Sequence, residues 1–248
     1  MRIASLFLLV LASLHFPAFA EDKPDGWSGE GSFSAGTSTG NTETSDLGLG
    51  LKLARTEGRW RAGTAIQADF GETDGEETKN RIYLEANGNY QLNDTLFTFA
   101  QASFEKDEFS GFENRYFIGG GLGWNVIESD RTNWSVKGGP GLKVDEVRPV
   151  MAEGDVVTPA ETVESFSVIG SSEFSFRFNE SVSLTNTSTA LYAEESTQLT
   201  NSLGVTASLT DTLSGRVSYD VRHDTNPPLG FEKTDTVTRV SIVYKFGG

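Results

Sequence analysis

Asp46-Leu47-Gly48-Leu49-Gly50-Leu51-Lys52-Leu53 carries leucine at every second position, with Asp, Gly or Lys between. A side-chain period of two belongs to an extended strand with one apolar and one polar face. The alternation recurs along the chain. Trp60, Ala62, Ile66, Ala68 and Phe70 share one face of the next run, opposite Arg59, Arg61, Gln67 and Asp69. The last run sets Val240, Ile242, Tyr244 and Phe246 against Arg239, Ser241 and Lys245. Twelve runs are counted, centred near Gly31, Gly50, Ala65, Ala86, Ala100, Gly120, Gly139, Ser171, Thr187, Leu203, Val217 and Ser241.

The start of the chain reads differently. Met1-Arg2 is a short positive start, Ile3 to Phe19 is almost wholly apolar, and Ala18-Phe19-Ala20 is a small-x-small cleavage pattern. Residues 1–20 therefore read as a secretory signal peptide cut before Glu21. Residues 21–248 are expected to form one domain. That part contains no Cys, which excludes disulfides, thiol catalysis and Cys-ligated metal, and it retains His223 as its one histidine. A net charge of −15 argues against nucleic acid as a partner. With 37% apolar residues a soluble core would be thin, whereas a membrane barrel needs only an apolar outer face. Ten residues at about 3.3 Å each, tilted by about 40°, rise about 25 Å, the height of an outer-membrane apolar band. The expected fold is all-β: a closed, antiparallel, transmembrane β-barrel of about 12 strands.

The connections alternate in length. Leu92–Leu96, Phe178–Val182 and Leu209–Leu213 look alike, each keeping apolar residues four apart across a polar turn. These turns are expected on the periplasmic side. Longer polar stretches, at Gly71–Thr78, Lys106–Asn114, Glu146–Thr162 and Asp224–Thr234, are expected outside. Trp27, Trp60, Trp124 and Trp134 fall at the periplasmic ends of runs, joined by Tyr90, Phe178, Tyr244 and Phe246. Phe70, Phe104, Tyr116, Phe166 and Tyr192 fall at the other ends. Two such girdles match the two membrane–water interfaces. Pro140 fits badly inside the seventh run, because a closed barrel has no free edge for a residue lacking an N–H. A bulge or a shorter strand is expected there.

An ordered set of motifs also appears: Trp27-Ser28-Gly29, Thr39-Gly40-Asn41-Thr42, Gly58-Arg59-Trp60, Tyr90-Gln91-Leu92-Asn93-Asp94, Phe104-Glu105-Lys106-Asp107-Glu108-Phe109, Arg115 ahead of Gly119–Trp124, and Val243-Tyr244-Lys245-Phe246. With these the chain resembles the salt-induced outer-membrane proteins, catalogued as domain of unknown function 481. The resemblance implies an outer-membrane location and a structural, stress-related envelope role. It implies no activity or cofactor. Gly247-Gly248 extend past Phe246, where many outer-membrane barrels end on an aromatic residue.

Strand parity sends Lys52, Arg59, Arg61, Arg81, Lys137, Lys143, Arg177, Arg216, Arg222, Arg239 and Lys245 to the lumen. Glu30, Asp46, Asp69, Glu85, Glu105, Asp145, Glu173 and Asp220 join them, a mixture with a small basic excess. The mixture fits either a lumen filled by ion pairs or a narrow path favouring small anions. If Glu105 pairs with Arg115, Phe97 falls opposite Gly123 and Phe99 opposite Gly121, which points to rings covering glycines. Glu72, Asp74 and Glu76 form a weak candidate loop for a hard cation; a solvated acidic rim is the ordinary reading. A third and distant reading is a lipid hydrolase, which needs a Ser and a His on the outer wall. His223, beside Asp224, faces outward near Tyr219 and Val221 without a clear Ser nearby. Outer-membrane lipids and the barrel-assembly machinery are the expected partners, with small ions or solutes as candidate cargo; no cofactor is expected. Mass analysis of the membrane-extracted protein should give a chain beginning at Glu21; an intact N-terminus would refute the leader.

Overall fold

The structure is a computed structural model describing residues 25–39, 44–152 and 155–247. The expected leader lies outside the described residues. Fourteen strands follow in chain order: β1 (Gly26–Thr39), β2 (Thr44–Glu57), β3 (Trp60–Thr73), β4 (Glu76–Gln91), β5 (Leu96–Asp107), β6 (Phe112–Glu128), β7 (Thr132–Val147), β8 (Val150–Ala152), β9 (Asp155–Thr158), β10 (Glu161–Arg177), β11 (Val182–Ala193), β12 (Thr197–Ser208), β13 (Leu213–Asp224) and β14 (Thr234–Gly247). Twelve of them close a barrel in the order β1-β14-β13-β12-β11-β10-β7-β6-β5-β4-β3-β2, every neighbour antiparallel. β8 and β9 form a separate hairpin between β7 and β10. Each expected strand centre lies inside one barrel strand. No helix in the described residues is long and apolar enough to cross a membrane; the crossing is made by strands.

Closure rests on β1 against β14, paired from Ser28↔Gly247 to Thr39↔Thr236. Followed once around the ring, the registers return displaced by about 16 residues, which for twelve strands means a tilt of about 45°.

Both ends of the described chain and the β2–β3, β4–β5, β6–β7, β10–β11 and β12–β13 turns lie at one end of the barrel, the tight-turn end. The three turns that look alike in sequence share one hydrogen-bond pattern. Leu92, Phe178 and Leu209 N–H donate to the carbonyls of Leu96, Val182 and Leu213 at 2.8, 2.9 and 2.8 Å. Asn93 Oδ1, Asn179 Oδ1 and Thr210 Oγ1 accept from the N–H groups of Leu96, Val182 and Leu213. The small polar side chain thus caps the turn that its apolar neighbours flank.

At the other end one expected loop is absent. Gly71–Thr78 continues β3 and β4 into a two-residue turn at Asp74-Gly75, with φ of 54° and 85°. Two consecutive positive φ values belong to a type I′ hairpin, which favours glycine at its second position. Several strands also exceed the expected ten residues, with β6 and β10 reaching 17 each.

The outward face is apolar. Leu47, Leu49, Ile118, Leu122, Leu142, Val217, Val240 and Ile242 are all exposed there. Trp27, Trp60, Trp124, Tyr244 and Phe246 rim it at the tight-turn end, and Phe70, Tyr116, Phe166 and Tyr192 at the other. Trp134 is half-buried in the first girdle, its indole N–H donating to Ser172 Oγ at 3.0 Å. Trp60 and Phe70 stand ten residues apart on β3, so the girdles are separated by about 23 Å at the strand tilt. A polar patch, Asn186, Ser188 and Asn201, interrupts this face and bonds internally, with Asn201 Nδ2 donating to Ser188 Oγ at 2.8 Å. Internal bonding suits groups that hydrocarbon cannot solvate.

Pro140 neither bulges nor shortens β7. Register with β6 is the same on either side of it, Gly119↔Gly141 and Leu122↔Gly138; the register shifts of this pair lie nearer its ends, at Phe112/Asn114 and Asn125/Ile127. Its pairing with β10 continues through Val168↔Pro140. The missing donor therefore falls in a stretch where glycines let the two strands pinch together. A Cβ at Gly121 would strike the backbone of Gly138 and Gly139. Phe97 pairs with Gly123 and Phe99 with Gly121, in the register that Glu105↔Arg115 sets. Phe97 occupies the space beside Gly123, and Phe117 does so beside Gly119 and Gly141. With Ile169 these rings make the buried apolar cluster inside the barrel.

Because the atoms a Cβ would meet at Gly121 are backbone, Gly121→Ala is expected to cost about 1–3 kcal/mol. Gly170→Ala, with nothing within 4 Å, should stay within about 0.5 kcal/mol of the wild type. Urea titration of the refolded barrel, read by heat-modifiable gel mobility, separates the two.

Candidate functional site

The candidate site is the lumen. Alternation along each strand turns one polar side chain in every two inward, and at the long-loop end these charges meet. Asp46 on β2 and Asp69 on β3 are buried, at 3% and 0% exposure. Arg239 on β14 bonds Asp220 at 2.7 Å and reaches Asp69 at 3.2 Å and Asp46 at 3.9 Å. Lys79 on β4 adds a second cation on Asp46 at 3.4 Å. Arg81 joins Asp69 at 3.2 Å to Glu105 at 3.0 Å. Carboxylates this deeply buried persist only when paired with cations; Asp69 also accepts hydrogen bonds from Gln67 and Arg81, while Asp46 is held by its ion pairs.

Two bridges leave the wall. Arg222 on β13 donates to Glu105 on β5 at 2.9 Å, and those strands lie six apart in either direction around the ring. Arg115 on β6 donates to Asp224 on β13 at 3.0 Å, and to Asp145 on β7 at 3.2 Å. Lys143 is held by Asp145 at 2.7 Å and donates to Ser196 Oγ at 3.1 Å. Opposite walls thus come close enough for single side chains to join them. Above the bridges, Gly111 of the β5–β6 loop packs under Pro228 and Phe231 of the β13–β14 loop. Arg148 steadies the first loop, its Nε donating to the Phe112 carbonyl at 3.1 Å.

Beneath these loops lies a chamber of about 450 Å³. Phe117 and Ile169 of the apolar cluster line it, and nine carboxylates and seven Lys and Arg side chains surround it. Along the β11–β12 wall the inward Thr185, Thr187, Thr200 and Ser202 stay exposed to the lumen.

The basic residues marked in the sequence divide by depth. Arg81 and Arg239 belong to the chamber network. Lys52 and Arg216 converge on Glu30 toward the tight-turn end, Arg216 bidentate at 2.9 Å. Lys137 pairs with Glu173 at 3.1 Å. Arg61 and Arg177 are exposed at that end, outside the chamber network, and Arg59 lies on the β2–β3 turn. The expected basic excess therefore holds for one half of the lumen, while carboxylates prevail in the chamber. Sequence reading passed over Lys79 and did not count Arg115 among the lumen residues. Parity with Arg81 marks the first and parity with Gly119 the second, but Lys79 adjoined a stretch read as loop.

Glu72, Asp74 and Glu76 stand on and beside the tight β3–β4 turn, with no loop to wrap an ion, and the described residues hold no group of three or more His, Asp or Glu placed for a metal. His223 faces outward as expected, yet Asp224 turns inward to Arg115, and the ring contacts Thr234, Nδ1 to Oγ1 at 2.8 Å.

Comparison with known sequences places this lumen in a family. The family described as "Protein of unknown function, DUF481" matches residues 31–246. The chain belongs to that family. The DUF481 chain is also similar to "Uncharacterized protein YdiY" of Escherichia coli (strain K12), 22% identical over 223 residues, 87% of this chain and 82% of that protein. Among solved structures it is similar to the NanC porin, with a TM-score of 0.55 and 14% identity over 87% of this chain and 100% of that one. A second is the COG4313 outer membrane channel from Pseudomonas putida F1, with a TM-score of 0.53 and 11% identity over 94% and 100%. At these identities the likeness speaks for the fold, a membrane barrel of the outer-membrane porin and channel type.

Arg239→Gln would leave two buried carboxylates, Asp46 and Asp69, and the half-buried Asp220 short of a cation and is expected to cost about 3 kcal/mol in urea titration. Arg61→Gln should leave the midpoint unmoved. Equal midpoints for both variants would show that the network contributes nothing to folding.

Proposed function

We propose that this barrel is exported to the outer membrane and forms a narrow passage for small ions and polar solutes, held constricted by side chains that cross its lumen. In this reading the tight-turn end faces the periplasm and the long loops face outside. The observation that carries it is the pair of bridges from opposite walls, Arg222–Glu105 and Arg115–Asp224, with polar Thr and Ser lining continuing past them. A barrel whose only task was mechanical would need no such water-exposed lining. Charged side chains at a constriction set both conductance and selectivity.

A purely structural barrel in the envelope, with the salt-linked role that the family resemblance implies, is the second reading. The apolar cluster of Phe97, Phe99, Phe117 and Ile169 within the lumen favours it. The passage would need only membrane lipids around it and the assembly machinery to insert it.

The double substitution Arg222→Gln/Asp224→Asn separates the two readings. It removes both cross-lumen bridges, keeps net charge constant, and leaves Glu105 with Arg81 and Arg115 with Asp145. In planar bilayers the wild-type barrel is expected to show small conductance steps, and the variant steps several-fold larger. Silence from both, with folding verified by heat-modifiable mobility, would select the structural barrel.

A further inference from the structure

The lumen's charge is divided along its axis. Toward the tight-turn end the inward charges are Lys52, Arg61, Lys137, Arg177, Arg216 and Lys245, against Glu30, Glu128 and Glu173. Glu30 is already paired by Arg216 and Lys52 and Glu173 by Lys137, and Glu128 accepts from Asn125 Nδ2. Arg61, Arg177 and Lys245 join no ion pair among the described residues. At the other end the balance inverts, with nine carboxylates against seven Lys and Arg around the chamber. Glu85 and Asp107 are two that no Lys or Arg bridges among the described residues; they accept instead from the Tyr83 hydroxyl and the Phe109 N–H.

We infer that the passage rectifies: it carries more current when the long-loop side is positive than when it is negative. This rests on the passage proposed above. In low-dielectric walls, fixed charge of one sign concentrates the opposite mobile ion. The chamber therefore favours cations and the tight-turn half favours anions. With the long-loop side positive, cations enter through the acidic chamber and anions through the basic half, and both accumulate where the halves meet. With the polarity reversed, each ion must enter through the segment that repels it, and the junction empties of carriers. The same arrangement would align a zwitterionic solute, its cationic group toward the chamber.

The test uses the bridge-free variant Arg222→Gln/Asp224→Asn, so that constriction does not mask the effect. Because the chain has no cysteine, Thr73→Cys at the exposed end of β3, beside the β3–β4 turn, supplies a thiol whose reaction with an impermeant maleimide reports which side holds the long loops. In about 0.1 M salt the current with that side positive should exceed the reverse by at least about twofold, and the ratio should fall toward unity at about 1 M, where screening shortens to about 3 Å. Adding Arg61→Glu and Arg177→Glu should abolish the asymmetry or invert it. Conduction with equal currents at both polarities would overturn the inference and leave the passage standing. Absence of current at either polarity from a folded variant would instead overturn the passage itself. Asymmetry surviving the two charge reversals would refute the assignment to the divided lumen.

Discussion

Hydrocarbon offers no hydrogen bonds, so every strand that crosses it must be paired on both sides. A sheet meets that demand only by closing, and the β1–β14 ladder does so from Ser28↔Gly247 to Thr39↔Thr236. Much else follows from closure. With twelve strands tilted at about 45°, the barrel is too wide to be filled as an eight-stranded one is and too narrow for a porin's open channel. The inward side chains must take up the remaining space.

Two kinds of filling share that space. On the β5–β6–β7 wall, aromatic rings lie over glycines: Phe97 at Gly123, and Phe117 at Gly119 and Gly141. The glycines let the strands pinch and the rings restore the buried surface, which is how one stretch tolerates Pro140 in mid-strand. Across the rest of the long-loop half the filling is electrostatic. Asp46, Asp69, Glu105 and Asp145 are each held by one or more of Lys79, Arg81, Arg115, Lys143 and Arg239. Removal of a cation exposes the desolvation cost of its carboxylates, so rigidity and constriction share one cause.

The constriction and the charge division act on different terms of transport. Bridges between opposite walls set how much of the section is open. Fixed charge at each depth sets which ion occupies it. Arg222 and Asp224 belong to the first, Arg61 and Arg177 to the second, and the two sets lie at opposite ends of the lumen.

Much of this was legible in the residues. Period-two alternation fixed where the strands run and which face of each meets lipid, because a one-residue slip would expose every polar side chain to hydrocarbon. The repeated turns at Asn93, Asn179 and Thr210 marked one end, and the Trp residues marked the same end. The reading failed where a local signal was ambiguous: the polar run Gly71–Thr78 resembles a loop, and only the positive φ values at Asp74 and Gly75 reveal a hairpin that keeps Lys79 in register. The sequence alone determined strands, faces and ends, all properties of neighbouring residues. Which charges meet across the lumen was decided by tertiary structure. Glu105 and Arg222 are 117 residues apart, and nothing local to either records that closure and stagger bring them to 2.9 Å.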